Sequence, residues 1–143
     1  NVKIKVLGDY RAFPDPIVKL IEDALQETKS NDKMILNIGL NYGGQSEIVR
    51  ASKNICKDII DGKISLDDID TESFKNYLYT TGQDDLDLLI RPSGELRVSN
   101  FLLYQLAYSE FYFSNILWPD FHENEFYKAI YDFQRRNRRY GGL

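Results

Sequence analysis

Strand-like and helix-like apolar patterns alternate along these 143 residues, which predicts an α/β fold: a mainly parallel sheet flanked by helices. Three observations carry that expectation. Short runs of β-forming residues recur near the start, after residue 33 and before residue 91. Stretches with apolar residues at helical spacing separate them. No internal repeat or low-complexity linker breaks the order, so a single domain over 1–143 is expected.

The first run, Val2-Lys3-Ile4-Lys5-Val6-Leu7, is a strand candidate. After Gly8-Asp9, Asp15 supplies a capping side chain and Pro16 a proline at the first helical position. Ile17, Leu20, Ile21, Ala24 and Leu25 then fall on one stripe. Met34 to Leu40 is the second strand, Asn41-Tyr42-Gly43-Gly44 a turn, and Ser46 to Ile60 a helix with Ile48, Val49, Ser52, Ile55, Cys56 and Ile59 inward, ended by Gly62. A polar stretch over 61–70 reads as a loop, Glu72 to Tyr79 as a short helix, and Leu86 to Ile90 as a strand. Asn100 to Phe113 is almost continuously apolar and is expected to be buried on most sides. Glu123 to Arg138 reads as a helix with Phe126, Ala129, Ile130 and Phe133 inward.

Composition narrows the function. With 43% hydrophobic residues the chain can bury one core, and a net charge of −4 disfavours a nucleic-acid binder, which needs a strong basic excess. No apolar run approaches the ~20 residues of a bilayer span, so a cytoplasmic location is expected. Cys56 stands alone, which excludes an intrachain disulfide and a cysteine cluster for zinc; its spacing points to core packing. His122 is also the only one of its kind. Beside Asp120 it is expected to be a surface residue near a helix start rather than part of a hydrolytic triad. The chain begins with Asn1 and enters a strand at once, which looks like a piece of a longer chain.

The chemistry concentrates in Arg91-Pro92-Ser93-Gly94-Glu95-Leu96-Arg97-Val98-Ser99-Asn100, directly after the apolar run Leu88-Leu89-Ile90. Ligands of open α/β sheets bind at the carboxyl edge of the strands. Arg91 and Arg97 offer planar forks of donors that suit phosphate oxygens, Ser99 adds a hydroxyl, and Gly94 frees the backbone for close approach. The stretch therefore reads as an anion site. Glu110, set among Phe101, Leu103, Leu106, Tyr108, Phe111 and Phe113, needs a partner if it is ionised. A magnesium ion shared with an anionic ligand would satisfy it, and so would an arginine. Four arginines, Arg135, Arg136, Arg138 and Arg139, crowd the last helix end before Gly141 and Gly142. Most of them suit a solvated helix terminus. The aromatic residues Phe111, Tyr112, Phe113, Trp118 and Phe121 suit either core packing or a homodimer face.

Taken with Asn37-Ile38-Gly39-Leu40-Asn41-Tyr42-Gly43-Gly44, Glu110-Phe111-Tyr112-Phe113 and Leu117-Trp118-Pro119-Asp120-Phe121, the Arg-x-x-Gly-Glu-x-Arg-x-Ser-Asn-Phe run from Arg91 to Phe101 resembles the cis-prenyltransferases, of the undecaprenyl diphosphate synthase type. The likeness runs from Val2 to Gly142. It implies a transferase that condenses isopentenyl diphosphate with an allylic diphosphate of the farnesyl type to a cis-polyprenyl diphosphate. Arg91, Arg97 and Ser99, with the backbone at Val98, look like the grip on the diphosphate of isopentenyl diphosphate. Glu110 looks like the catalytic carboxylate that helps hold Mg2+, and Arg139 and Gly141 look like a tail that reaches the partner's site in a homodimer. A lipid product would bring such a protein to the membrane surface.

Two positions depart from the family: Gln45 stands where arginine is general, and Leu96 where many relatives place a metal-binding histidine, which thins the implied metal shell. The family's Asp-Gly-Asn-x-Arg segment is not in these residues. The chain is thus expected to be a C-terminal portion carrying about half a site and to be inactive alone. The rival readings are a non-catalytic accessory subunit of a prenyltransferase complex and an unrelated α/β anion-binding module.

Overall fold

The computed structural model describes residues 1–136. These form two compact units, 1–83 and 84 onward.

In the first unit, β1 (Val2–Leu7) pairs in parallel with β2 (Met34–Gly39), Val2 opposite Met34 and Leu7 opposite Gly39. Helix α1 (Asp15–Thr28) makes the crossover. Pro14, not Asp15, is its N-cap; Asp15 and Pro16 are the first two helical residues, and no side chain caps the end. Pro16 suits the first turn, where its missing N–H has no helical partner to lose, whereas Asp15 is helical against the usual preference of a residue that precedes proline. Thr28 ties the helix to the strand, accepting from the Ile4 N–H at 3.1 Å and donating to the Ala24 carbonyl at 2.8 Å. Although the stripe on α1 is apolar, none of its residues is buried among the described residues; Leu20 is 66% exposed.

The turn from β2 into α2 (Gly44–Ile60) rests on Gly8. Its φ of +113° lies where side chains are disfavoured, and its Cα faces the Leu40 carbonyl so closely that a Cβ would sit 2.3 Å from that oxygen. Of the residues expected inward on helix α2 only Ile55 is buried: Gly44, Glu47, Ala51 and Ile55 form the buried stripe, whereas Val49, Ser52 and Cys56 are exposed. Core packing of Cys56 is therefore incorrect. Small residues at 44 and 51 let the helix approach its neighbours closely, and the larger apolar side chains Val49 and Ile60 are exposed. Gly62, at φ +69°, ends the helix, as its sequence position implied. Beyond it, Lys63 bridges Asp58 and Asp61, and Tyr77 donates to Asp58 at 3.1 Å. The hydrogen bond from Lys63 holds the pKa of the half-buried Asp58 carboxyl below its ordinary value.

A short α3 (Thr71–Lys75) opens on a capping box in which Asp70 accepts from the Ser73 N–H and Ser73 accepts from the Asp70 N–H. In the second unit, β3 (Leu88–Arg91) pairs in parallel with β4 (Glu110–Phe113), Leu88 opposite Glu110 and Arg91 opposite Phe113. The apolar stretch from 100 to 113 is thus not one buried element. It is a sequence of turns, a 3₁₀ turn at Gln105–Tyr108 and a strand, with Leu102 and Leu106 buried and Tyr108 77% exposed. Helix α4 (Glu123–Gln134) buries Ala129 and leaves Phe126 half exposed. Its N-cap is His122, exposed at the helix start as expected. Parallel strand pairs flanked by helices are the α/β class that the sequence predicts.

Candidate functional site

Arg91 is the last residue of β3, and the loop that follows it is held by strand-like bonds to the segment after β4. The Ser114 N–H donates to the Arg91 carbonyl at 2.9 Å, the Ser93 N–H to the Ile116 carbonyl at 2.7 Å and the Gly94 N–H to the Ser114 carbonyl at 2.8 Å. Left-handed backbone at Ser93 (φ 75°), Gly94 (φ 69°), Ser99 (φ 48°), Asn100 (φ 62°) and Leu102 (φ 46°) turns the loop repeatedly. Each non-glycine residue in that region carries a conformational cost that persists where the surroundings impose it, and clamps for ligands are common places for it. Arg91, Arg97, Val98 and Ser99 thus share one anchored loop at the carboxyl edge of β3. Arg97 and Ser99 are exposed at its rim, and Arg97 forms an ion pair with Glu95.

Glu110 does not share that loop. Side chains alternate across a strand, so the register that sets Glu110 beside Leu88 and Phe113 beside Arg91 puts Glu110 and Arg91 on opposite faces of the pair, about 10 Å apart along it. The Glu110 carboxylate is engaged by Arg136, whose Nη1 donates to it at 2.8 Å and to the Phe111 carbonyl at 2.9 Å, while Nε donates to Asp132 at 2.9 Å. Hydrogen bonds from Arg136 to Glu110 first, and to Asp132 second, hold the guanidinium pKa above its ordinary value. Of the two partners that the sequence left open for Glu110, the structure supplies the arginine. A magnesium ion at Glu110 would have to take the place of this guanidinium. Among the described residues no three His, Cys, Asp or Glu side chains converge as a metal shell. Because the pair is only about 30% exposed on each side, it should tie β4 to the end of α4. A double-mutant cycle with Glu110→Gln and Arg136→Met is expected to show a coupling of about 1 kcal/mol in unfolding free energy.

Arg139 and Gly141 lie outside the described residues. Trp118 stacks on Phe121 with centroids 6.4 Å apart and is 69% exposed, so it is not packed in the core. No described helix is long and apolar enough to cross a membrane.

Sequence reasoning missed Glu47. Only 1% exposed, it accepts from the Tyr42 hydroxyl at 2.5 Å and from the Tyr79 N–H at 2.6 Å, which ties the β2–α2 turn to the segment after α3. Beside it, Arg50 lies 3.8 Å over the Tyr79 ring and donates to the Tyr77 carbonyl. The signal was present in the spacing Gly44, Glu47, Ala51, Ile55, one helix stripe that contains a carboxylate.

An anion-type loop at the carboxyl edge of a parallel α/β strand pair defines a class, and comparison with known proteins gives the family. A family profile described as putative undecaprenyl diphosphate synthase, a prenyltransferase family, matches residues 1–141, and the chain belongs to that family. It is 51% identical over its whole length to an isoprenyl transferase of Clostridium perfringens and 49% identical to one of Bacillus subtilis. The chain spans 56% and 55% of those relatives. Among solved structures it is similar to lavandulyl diphosphate synthase from Lavandula x intermedia, determined with dimethylallyl diphosphate. That match has a TM-score of 0.95 at 34% identity and covers 99% of this chain and 61% of the other. A probable undecaprenyl diphosphate synthase from Campylobacter jejuni matches with a TM-score of 0.84 at 32% identity, over 99% and 64% of the two chains.

Proposed function

We propose that this chain carries the isopentenyl-diphosphate side of a cis-prenyltransferase site, in a protein that condenses isopentenyl diphosphate with an allylic diphosphate to a cis-polyprenyl diphosphate. The observation that carries the reading is the anchored 91–99 loop with two guanidinium groups and a hydroxyl in a family of isoprenyl transferases. Arg91 and Arg97 would take the phosphoryl oxygens in forked hydrogen bonds, Ser99 would donate from its hydroxyl, and the Val98 backbone would close the cradle. Held in this way, the diphosphate end fixes the homoallylic double bond for attack on the allylic carbon; the new carbon–carbon bond forms there as the allylic C–O bond breaks, inorganic diphosphate leaves and the isopentenyl unit loses a proton, so that an encounter becomes an oriented reaction. Arg139 and Gly141 are proposed as the tail that reaches a partner's site. The exposed Leu117 and Trp118 support a homodimer face on this unit. A lipid product supports a location at the membrane surface.

An accessory, non-catalytic subunit is the second reading, and the retained arginine pair speaks against it, since such a subunit has no need of a diphosphate grip. Calorimetric titration with isopentenyl diphosphate separates them. Binding is expected, weakened about 10- to 100-fold in Arg97→Ala, as loss of hydrogen bonds between charged groups implies. Indifference to the diphosphate would favour the accessory reading. Magnesium is proposed as the cofactor, with Glu110 as the residue that would help hold it, and stronger binding with the metal than without it is expected. Alone, the chain is proposed to incorporate no labelled isopentenyl diphosphate into product, and measurable incorporation would refute that.

A further inference from the structure

We infer that Glu95 is a built-in decoy anion, which occupies the guanidinium fork of Arg97 until a diphosphate displaces it. The inference rests on the diphosphate reading of Arg97. Carboxylate and phosphate are the two groups that a guanidinium fork suits best, so a carboxylate on Arg97 stands where a phosphoryl group would bind. Glu95 and Arg97 are two residues apart and pair directly, and Leu96 between them is 78% exposed. Left-handed backbone at Ser93 and Gly94 turns the chain just ahead of Glu95, and the N–H bonds of both residues to 114 and 116 fix where that turn sits.

The strength of the contact decides what it can do. Its two side chains are 39% and 63% exposed, so water and salt screen the pair. A pair so screened holds Arg97 only loosely. It is weak enough to yield to a group with a higher charge that binds Arg91 and Ser99 as well. The displaced carboxylate meets solvent, with no buried charge left behind. Glu95 therefore lowers the affinity of the site for the anions that reach Arg97, diphosphate included.

The test is calorimetric titration of the full chain with inorganic diphosphate, without metal, in the parent and in Glu95→Gln, Arg97→Ala, the double variant, and Glu72→Gln as a control that changes net charge equally on α3. Glu95→Gln is expected to bind about two- to fivefold more tightly, the range that loss of an exposed competing pair allows. Glu72→Gln should match the parent, and Glu95→Gln should give no gain once Arg97 is alanine. An unchanged or weaker affinity in Glu95→Gln, an equal gain in Glu72→Gln, or a gain that survives Arg97→Ala would overturn the inference. If Arg97→Ala weakens binding while Glu95→Gln changes nothing, the decoy alone fails. If diphosphate binding does not depend on Arg97, the site reading fails and takes the decoy with it.

Discussion

Replacing Gly8 with alanine is expected to lower the unfolding free energy by about 2–5 kcal/mol, the sum of a positive-φ cost and an overpacking cost. At φ +113° a Cβ would meet the Leu40 carbonyl at 2.3 Å, the Asn41 carbonyl at 2.9 Å and the Tyr42 Cα at 2.9 Å. All three are backbone atoms, so no rotamer change relieves them, and moving them displaces the turn that starts α2. Gly82→Ala is the control. It has a similar left-handed φ of +73° but open space around it, so only the conformational cost of about 1–2 kcal/mol is expected. Urea unfolding of the two variants checks both values. Equal losses would show that crowding at Gly8 contributes nothing.

Removing the Glu47 carboxylate is the other change of large expected effect. In Glu47→Ala the Tyr79 N–H and the Tyr42 hydroxyl both lose the acceptor to which they donate, inside a region where Glu47 is almost wholly buried. An unsatisfied buried donor costs about 1–3 kcal/mol, and a truncated core side chain leaves a cavity as well, so a loss of about 3 kcal/mol or more is expected. Glu47→Gln keeps the shape and one acceptor oxygen, and should lose only about 1 kcal/mol. Urea midpoints at constant slope provide the measurement. A Glu47→Ala protein as stable as the parent would mean that the two donors find other acceptors.

The elements with strong local signals were legible in the sequence. The two parallel strands β1 and β2, Pro16 in the first turn of α1, the stop at Gly62 and the loop beginning at Arg91 all follow from residue types whose backbone preferences are decided locally. What depended on partners was not. The strand β4 lies in an aromatic run with no period of its own, and it becomes a strand because it pairs with β3. On α2 large apolar size marks the inward stripe only at Ile55. Close packing there selects Gly44 and Ala51, and Glu47 is paired, so Cys56 and Val49 fall outside. The same limit applies to Glu110. Its need for a cation was readable from its apolar neighbours, but its strand register, and hence its separation from Arg91 and its pairing with Arg136, was not.

A crystal structure of the protein with isopentenyl diphosphate bears most directly on the role of the 91–99 loop. Phosphoryl oxygens about 3 Å from the guanidinium groups of both Arg91 and Arg97, with the Ser99 hydroxyl on the same diphosphate, are the expected result. A diphosphate bound elsewhere, with Arg97 still paired to Glu95, would contradict it.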